Sequence, residues 1–343
     1  MQVSRRNFYI NRRIIIIFLC LSVFIFIGCV KQNEKQANSN NENKQTGSND
    51  EPVYYSLLDG KIISQENKDP FITLMIDNSI GSGLIDSRPV AGINSASIVY
   101  EFPVEASITR FMGIFELSNL PEKIGPIRSA RPYFAGLAEE YRAIYVHAGG
   151  SPQVIDEFKQ EKYNIYNLDE ISANGNYFWR DNFGIPPFNL YISSNFINKF
   201  IQKRNILNYT DFRPWSFRDN KSDEENGVIN QIEISEYKVR WQYDNDKKIY
   251  FRYQNNKPYL DDENNQVSTI NLIVQKMSIL VIDTIGRREI KIDGRGTAYI
   301  YMYGNKIEGS WIRDDDRTIF YDQDGKEIKF LRGNTWIEII GGK

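Results

Sequence analysis

The chain has 343 residues, a formal net charge of −2 at neutral pH, one histidine and two cysteines. This length is enough for about two domains, and 41% hydrophobic with 25% charged residues is the composition of a folded protein. The absence of a basic excess disfavours a nucleic-acid partner. The scarcity of histidine and cysteine excludes zinc fingers and thiol redox pairs, so we expect no metal and no other cofactor.

Residues 1–28 have the layout of an export signal. Four arginines and no acidic residue precede an uncharged apolar run at 14–27, and polar sequence follows Gly28 and Cys29. As a helix the apolar run would span about 21 Å, less than the ~30 Å of a bilayer's hydrocarbon core. The pattern resembles a bacterial lipoprotein signal peptide, which predicts cleavage before Cys29 and acylation of Cys29 with palmitate-type chains. The alternative is an uncleaved anchor helix, and either way the rest of the chain lies outside the membrane.

Residues 29–52 are predicted to be a disordered tether. The stretch 31–50 is almost devoid of apolar side chains, so it cannot offset the entropy of ordering. A flexible chain of about 20 residues reaches roughly 25 Å. We therefore expect a tether that holds the folded part off the lipid surface, on the extracytoplasmic side of the cell membrane to which the lipid anchors it.

Residues 53–209 are predicted to form a mixed α/β domain. Short apolar, β-branched runs at 71–77, 96–102, 108–117 and 143–148 indicate buried strands. Helices are predicted at 132–141, from Pro152 onward and at 195–206, because proline and serine stand at favoured helix starts.

The chain changes character after a charged stretch at 210–227, which predicts a linker or long surface loop. Residues 228–343 show alternating strands with hairpin turn signals and no long helical period, which predicts a mainly antiparallel β domain. The predicted fold class is α+β, with the α/β domain followed by the β-rich C-terminal domain.

The densest polar signal lies between residues 100 and 153. Its first part supplies five candidate residues, two glutamates and three arginines, with two of the arginines between prolines: Glu101, Glu105, Arg110, Arg128 and Arg131. Arginines held on a short loop are oriented for bidentate hydrogen bonds with a carboxylate or phosphate, which predicts a pocket for an anionic ligand. The alternative is that these arginines pair internally with the two glutamates.

His147 and Ser151 flank a Gly-Gly break that leads from a strand into a helix. Free backbone N–H groups at such a helix start favour anions. His147 is either a buried core histidine or a general base at the mouth of the pocket. Ser151 suits a helix cap, and no GxSxG motif marks it as a nucleophile.

Two further patterns favour structural interpretations. The acidic residues at 314–316 and 322–324 lack EF-hand spacing, so we expect turns rather than a calcium site. Aromatic residues at strand spacing in the C-terminal part favour core and cross-strand packing over sugar stacking.

The motifs IVYEFPVEASITRF, KIGPIRSARPYF, AIYVHAGGSP and PFNLYIS, in this order, resemble the YerB-like lipoprotein family of Gram-positive bacteria. The resemblance implies a lipidated cysteine and two successive domains of uncharacterised function, and it implies no reaction. It directs attention to eight residues as candidates for ligand binding: Arg88, Glu101, Glu105, Arg110, Arg128, Arg131, His147 and Ser151.

These observations together predict a lipid-anchored protein of the cell envelope that binds an anionic ligand or partner through the arginine-rich region. Candidate partners are cell-wall fragments, polyprenyl phosphates or an envelope protein. One alternative is an enzyme acting on wall polymers, with His147 and either Glu101 or Glu105 as acid/base groups. Another is a scaffolding lipoprotein, which would expose an apolar patch on its β-rich part.

Overall fold

The structure, a computed structural model, describes residues 52–79, 86–105, 108–182, 184–206, 212–219, 227–314 and 317–342. The predicted signal at 1–28, the lipidation site Cys29 and all of the predicted tether except Pro52 lie outside these residues. Pro52–Lys343 form one compact unit.

The N-terminal half mixes strands and helices, as its sequence pattern predicts. Its three α-helices each begin at a favoured residue: proline opens two of them, and the Ser193 hydroxyl accepts the Phe196 N–H at the start of the third. The elements are β1 (Tyr54–Tyr55), β2 (Ile62–Ile63), β3 (Ile72–Asn78), β4 (Ile98–Pro103), β5 (Thr109–Phe115), α1 (Pro132–Glu140), β6 (Ile144–His147), α2 (Pro152–Lys159), β7 (Tyr166–Asp169), β8 (Trp179–Arg180), β9 (Leu190–Tyr191) and α3 (Ser194–Arg204).

The described residues of the C-terminal half form strands and no α-helix, and this confirms the α+β fold class. Most of the strands are paired antiparallel with their neighbours along the chain. They are β10 (Ser216–Arg218), β11 (Gln231–Ile234), β12 (Val239–Asp244), β13 (Ile249–Gln254), β14 (Lys257–Pro258), β15 (Ser268–Thr269), β16 (Asn271–Val281), β17 (Arg288–Lys291), β18 (Gly294–Met302), β19 (Asn305–Arg313), β20 (Thr318–Asp322), β21 (Lys329–Leu331) and β22 (Thr335–Gly341).

One sheet runs through both halves of the sequence. Within the described residues it has eleven strands in the order β20-β19-β18-β16-β22-β4-β5-β3-β6-β7, with β17 paired to β16 off this path. The last strand, β22, lies between β16 and β4 and is parallel to both. The C-terminal residues therefore join the two sequence halves through backbone hydrogen bonds.

Each face of this sheet is covered by its own apolar core. Along β4 the side chains alternate, so that Tyr100 and Phe102 lie in one core and Val99 lies in the other. Helices α1 and α2 cover the first face, called here the helix face. The second face is covered by α3 and by a smaller sheet with the order β11-β12-β13-β14, in which β15 also pairs with β13.

The stretch at 210–227, predicted to be a linker or loop, contains a strand in its described part. Strand β10 pairs in parallel with β21, so these residues belong to the packed structure. Trp215 is 3% exposed, and its indole N–H donates to the Thr318 carbonyl over 2.8 Å. The apolar side chains of Trp215 and Phe217 explain why this charged stretch does not remain a loop.

No helix among the described residues has the length and hydropathy needed to cross a bilayer. Those residues also contain no group of three or more His, Cys, Asp or Glu side chains placed to hold a metal ion.

Candidate functional site

The pairing of β3 with β5 places two opposite charges side by side. Asp77 lies directly across from Arg110, and Arg110 lies across from Phe102 on β4. Paired residues on neighbouring strands share a face of the sheet, so Asp77 and Arg110 point toward the helix face with Phe102. Both are buried.

Two more arginines reach the same place from the loop that precedes α1. Arg128 Nε lies 3.1 Å from Asp77 Oδ2, and Arg131 Nε donates to Glu105 Oε1 over 3.0 Å. We call Asp77, Glu105, Arg110, Arg128 and Arg131 the arginine cluster. It holds three guanidinium groups and two carboxylates, so its formal charge is positive.

Arg110 is the most buried cation of the cluster, at 2% exposed. One of its terminal nitrogens donates to the Ser129 carbonyl over 2.8 Å, while its Nε has no hydrogen-bond partner among the described residues. Burial, followed by the charges of Arg131 and Arg128, lowers the pKa of Arg110 to about 10. The cluster therefore contains uncompensated positive charge.

A tyrosine hydroxyl faces the same region without a partner. Tyr145 on β6 is fully buried, and its hydroxyl makes no hydrogen bond with the described residues. Burial raises the pKa of Tyr145 well above the ordinary value, and the positive charges of Arg110 and Arg131 oppose this shift. Tyr145 is thus a neutral hydrogen-bonding group beside the cluster.

The cluster has an edge that solvent reaches. The side chains of Arg128, Glu105 and Arg131 are 20%, 18% and 12% exposed, respectively. The Arg128 guanidinium also lies over the Phe188 ring, 5.3 Å from its centroid, which fixes its position. A ligand would therefore meet Arg128 and Arg131 first.

A cleft of about 700 Å³ adjoins the cluster. Pro132 and Tyr133 of α1 line one side, and Arg288 and Ile290 of β17 line the other. Arg288 Nε donates to the carbonyl of Val104, the residue before Glu105, over 2.8 Å. The cleft and the cluster thus share the loop that follows β4.

Glu101, which the sequence grouped with the arginines, lies on the opposite face. Its side chain accepts from Arg252 Nη2 at 2.8 and 3.0 Å and from the Thr109 hydroxyl at 2.6 Å. Glu101 and Arg252 are both fully buried. Arg110 shares the helix face with its register partner Phe102, and Glu101, the residue before Phe102 on β4, points to the opposite face. The expectation that Glu101 shares a site with Arg110 is therefore wrong.

A second buried carboxyl group, Glu338, lies beside Glu101 and was not singled out from the sequence. The two residues are register partners on β22 and β4, and the Trp241 indole donates to Glu338 Oε1 over 2.7 Å. Burial, followed by the charge of Glu101, raises the pKa of Glu338 well above the ordinary value. No local pattern relates residues so far apart in the chain.

His147 is a buried core residue. Its ring packs against those of Tyr145 and Phe158, with centroids 4.9 and 5.2 Å away. Its Nδ1 lies 2.8 Å from the Gly149 carbonyl and its Nε2 lies 2.6 Å from Asn167 Oδ1. Burial lowers the pKa of His147, so the ring is neutral at pH 7. The interpretation of His147 as an accessible general base is therefore corrected.

The last two candidates have structural partners. The Ser151 hydroxyl accepts the Val154 N–H over 3.4 Å at the start of α2, which is the helix-cap alternative. Arg88 Nε donates to Asp86 Oδ1 over 2.7 Å, and Arg88 is electrostatically coupled to Tyr259, which lies on the Arg252 side of the sheet. Neither residue belongs to the arginine cluster.

Four predicted residues thus come together, namely Glu105, Arg110, Arg128 and Arg131. Asp77 and Tyr145 also lie here, although no sequence pattern predicted them. The aspartate ends the apolar run at 71–77, and a charge at the end of a buried strand was a signal that could have marked it. Tyr145 lies inside an apolar strand, where a tyrosine gives no such signal.

Comparisons with known proteins agree with the sequence resemblance. Residues 58–207 match the N-terminal domain, and residues 230–337 the C-terminal domain, of the family described as "Protein of unknown function (DUF3048)". The chain is 31% identical over 264 residues to "Putative lipoprotein YerB" of Bacillus subtilis (strain 168), covering 74% of this chain and 77% of that protein.

The crystal structure of YerB from Bacillus subtilis has the same fold. It superimposes with a TM-score of 0.72 at 29% sequence identity, covering 84% of this chain and 97% of that one. Similarity to a lipoprotein supports membrane anchorage in the cell envelope. With both domains matched and the curated relative covered over most of its length, the chain belongs to the DUF3048 family of YerB-like lipoproteins.

Proposed function

We propose that the protein is a lipid-anchored envelope protein that binds an anionic ligand at the arginine cluster. The proposal includes export by the segment 1–28, acylation of Cys29 and an extracytoplasmic location. Supporting it are the signal-like sequence of that segment and the lipoprotein relative.

One observation carries the binding proposal: three guanidinium groups face two carboxylates, and the buried Arg110 keeps an Nε without a partner among the described residues. A buried cation with a free donor is costly unless an anion satisfies it. The Tyr145 hydroxyl offers a further donor beside Arg110. A phosphate or carboxylate group has the acceptors and the charge that this set lacks.

The enzyme alternative receives no support from the geometry. His147 is fully buried against the Phe158 ring, and Glu101 is fully buried against Arg252. Glu105 pairs with Arg131. These three groups therefore do not meet around an accessible space in the described part of the chain, as acid/base chemistry on a polymer would require.

Binding measurements with two probes test the proposal. Titration calorimetry of the full chain in detergent uses a muropeptide in one series and farnesyl phosphate in the other. Arg128→Ala and Arg131→Ala are each expected to weaken binding by roughly 10- to 100-fold, the value of one lost charge-assisted contact. Arg240→Ala is the matched control, because Arg240 lies on β12, in the smaller sheet that covers the other face of the main sheet, and its side chain contacts Gln242.

The outcomes separate clearly. Weakened binding of either probe by the two cluster variants, with unchanged binding by the control, supports the proposal and identifies the anion. Equal affinity in all variants, or binding of neither probe by the parent chain, would exclude it.

A further inference from the structure

A hairpin arm leaves the main sheet at the C-terminal end of β16. Strand β16 pairs with β18 only up to Gln275 and with β22 up to Met277, whereas residues from Ser278 to Val281 pair with β17 alone. We call residues 278–291 the arm. Beyond its base it has no neighbouring strand among the described residues.

The tip of the arm exposes aliphatic side chains. Leu280, Val281, Ile282 and Ile285 are 58%, 60%, 50% and 69% exposed. A scaffolding protein was expected to expose an apolar patch on its β-rich part, and this is such a patch. Four exposed aliphatic residues within six positions are too concentrated to be the scattered surface residues of an ordinary soluble protein.

The shape of the patch indicates what covers it. Leu280 lies across from Glu289 and Val281 lies across from Arg288, so these two neighbouring aliphatic side chains project from opposite faces of the hairpin. A flat protein surface would cover one face and leave the other in water. A medium that surrounds the tip covers both, and the acyl region of a bilayer is such a medium.

Charges on the arm fit the same environment. Arg287, Arg288, Glu289 and Lys291 follow the aliphatic tip, and Asp283 is bound to Arg287, so the arm has a formal net charge of +1. Cationic side chains next to an apolar tip would lie at the level of lipid phosphates. At the base, Ile290 is 5% exposed and packs in the core, so the arm is fixed to the sheet.

The chain between the predicted lipid anchor and the folded part is long enough for this contact. The described chain begins at the end of the sheet opposite to the arm, where the Asp59 carbonyl accepts the Gly333 N–H. Between Cys29 and Pro52 the chain extends to about 75 Å at most, whereas β16 is about 36 Å long. An acylated Cys29 would therefore permit the arm to reach the same membrane.

We propose that the arm inserts its aliphatic tip into the interface of the lipid bilayer. This places the end of the sheet that carries the arginine cluster next to the lipid headgroups, since β4 and β16 are both parallel to β22. The insertion itself does not depend on the ligand of the arginine cluster.

Photocrosslinking of the full chain tests the proposal. Ile285 is replaced by benzoylphenylalanine, and the chain is reconstituted into vesicles of phosphatidylethanolamine and phosphatidylglycerol. The matched control carries the same probe at Val228, which is 92% exposed and lies near the β18–β19 turn, at the opposite end of β18 from the arm. Mass spectrometry identifies the adducts after irradiation.

We expect lipid adducts at position 285 in several-fold higher yield than at position 228. Adding Val281→Asp and Ile282→Asp to the Ile285 probe chain should reduce that yield to the level of the control. Both changes lie at exposed positions, so circular dichroism should show an unaltered fold. The proposal would be overturned by equal lipid yields at positions 285 and 228, or by a yield at 285 that the aspartate substitutions leave unchanged. Adducts to a second copy of the chain would also overturn it.

Discussion

Glu101 and Glu338 are register partners on adjacent parallel strands, and both side chains are fully buried. Arg252 is the cation that compensates them, with Nη2 donating to both oxygens of Glu101. One guanidinium cannot offset two buried negative charges, and burial, followed by the charge of Glu101, raises the pKa of Glu338 well above its ordinary value. We therefore expect Glu338 to keep its proton beside the pair of Glu101 and Arg252.

Glu338→Gln should remove a pH dependence of stability. The pKa of Glu338 is raised above the ordinary 4.5 in the folded chain, so the folded state holds a proton that the unfolded state releases. The contribution of the protonated group is complete below pH 4.5 and is lost as pH rises from there through the folded pKa. Urea unfolding at several pH values should show a shallower decline for the glutamine variant than for the parent.

At pH 7 the same variant should be at least as stable as the parent, because glutamine is neutral without binding a proton. Glu308→Gln is the control, since Glu308 is half-exposed and pairs with Lys306 at the surface. A glutamine variant at 338 with the parent's full pH dependence would contradict the assignment of the proton to Glu338.

Glu101→Gln and Glu338→Gln should be strongly non-additive. In Glu101→Gln the neighbouring Glu338 is free to ionise and compensate Arg252, so the loss should be moderate. With both residues changed, Arg252 is buried without a carboxylate, which costs about 3–5 kcal/mol. A double-mutant cycle by urea unfolding should give a coupling of more than ~1 kcal/mol, whereas additive values would show that the two carboxyl groups act independently.

The sequence predicted the individual elements well because their signals are local. The apolar run at 71–77 became β3 at Ile72–Asn78, and Ser151 with Pro152 marked the start of α2. The grouping of Arg110, Arg128 and Arg131 could also be predicted from the sequence, since a strand and the loop before a helix bring them together within a short stretch of chain.

Contacts between distant strands were not predictable from one sequence. The position of Glu101 depends on which face of β4 packs against Arg252, and that is set by the register of β4 with β5 and β22. A shift of one residue would exchange the two faces. Glu101 and Glu105 therefore looked equivalent in the sequence, although only Glu105 reaches the arginine cluster.

His147 should remain neutral below the pH at which an ordinary histidine titrates. Burial lowers its pKa from 6.5, so on acidification the unfolded chain binds a proton before the folded chain does. The stability contribution is present above pH 6.5 and is lost as pH falls toward the folded pKa. Because the chain has one histidine, its imidazole signals in an NMR titration are unambiguous. A titration midpoint at or above 6.5 would contradict the buried, neutral state.

Tyr145→Phe tests whether the Tyr145 hydroxyl, beside the arginine cluster, donates a hydrogen bond to a bound ligand. Since that hydroxyl has no partner among the described residues, its removal should leave the free energy of unfolding unchanged or raise it by about 1 kcal/mol. Tyr100→Phe is the matched control, because the Tyr100 hydroxyl lies 3.0 Å from that of Tyr141, and it should lower stability by about 1 kcal/mol.

The same pair of variants separates stability from binding. In the titrations with muropeptide and farnesyl phosphate, Tyr145→Phe should weaken binding several-fold while the protein stays as stable as the parent, since a neutral hydroxyl donates one hydrogen bond to the anion. Tyr100→Phe should bind as the parent does. A Tyr145→Phe protein that loses stability and keeps full affinity would show that the hydroxyl serves the core, and the anion would then be held by the arginines alone.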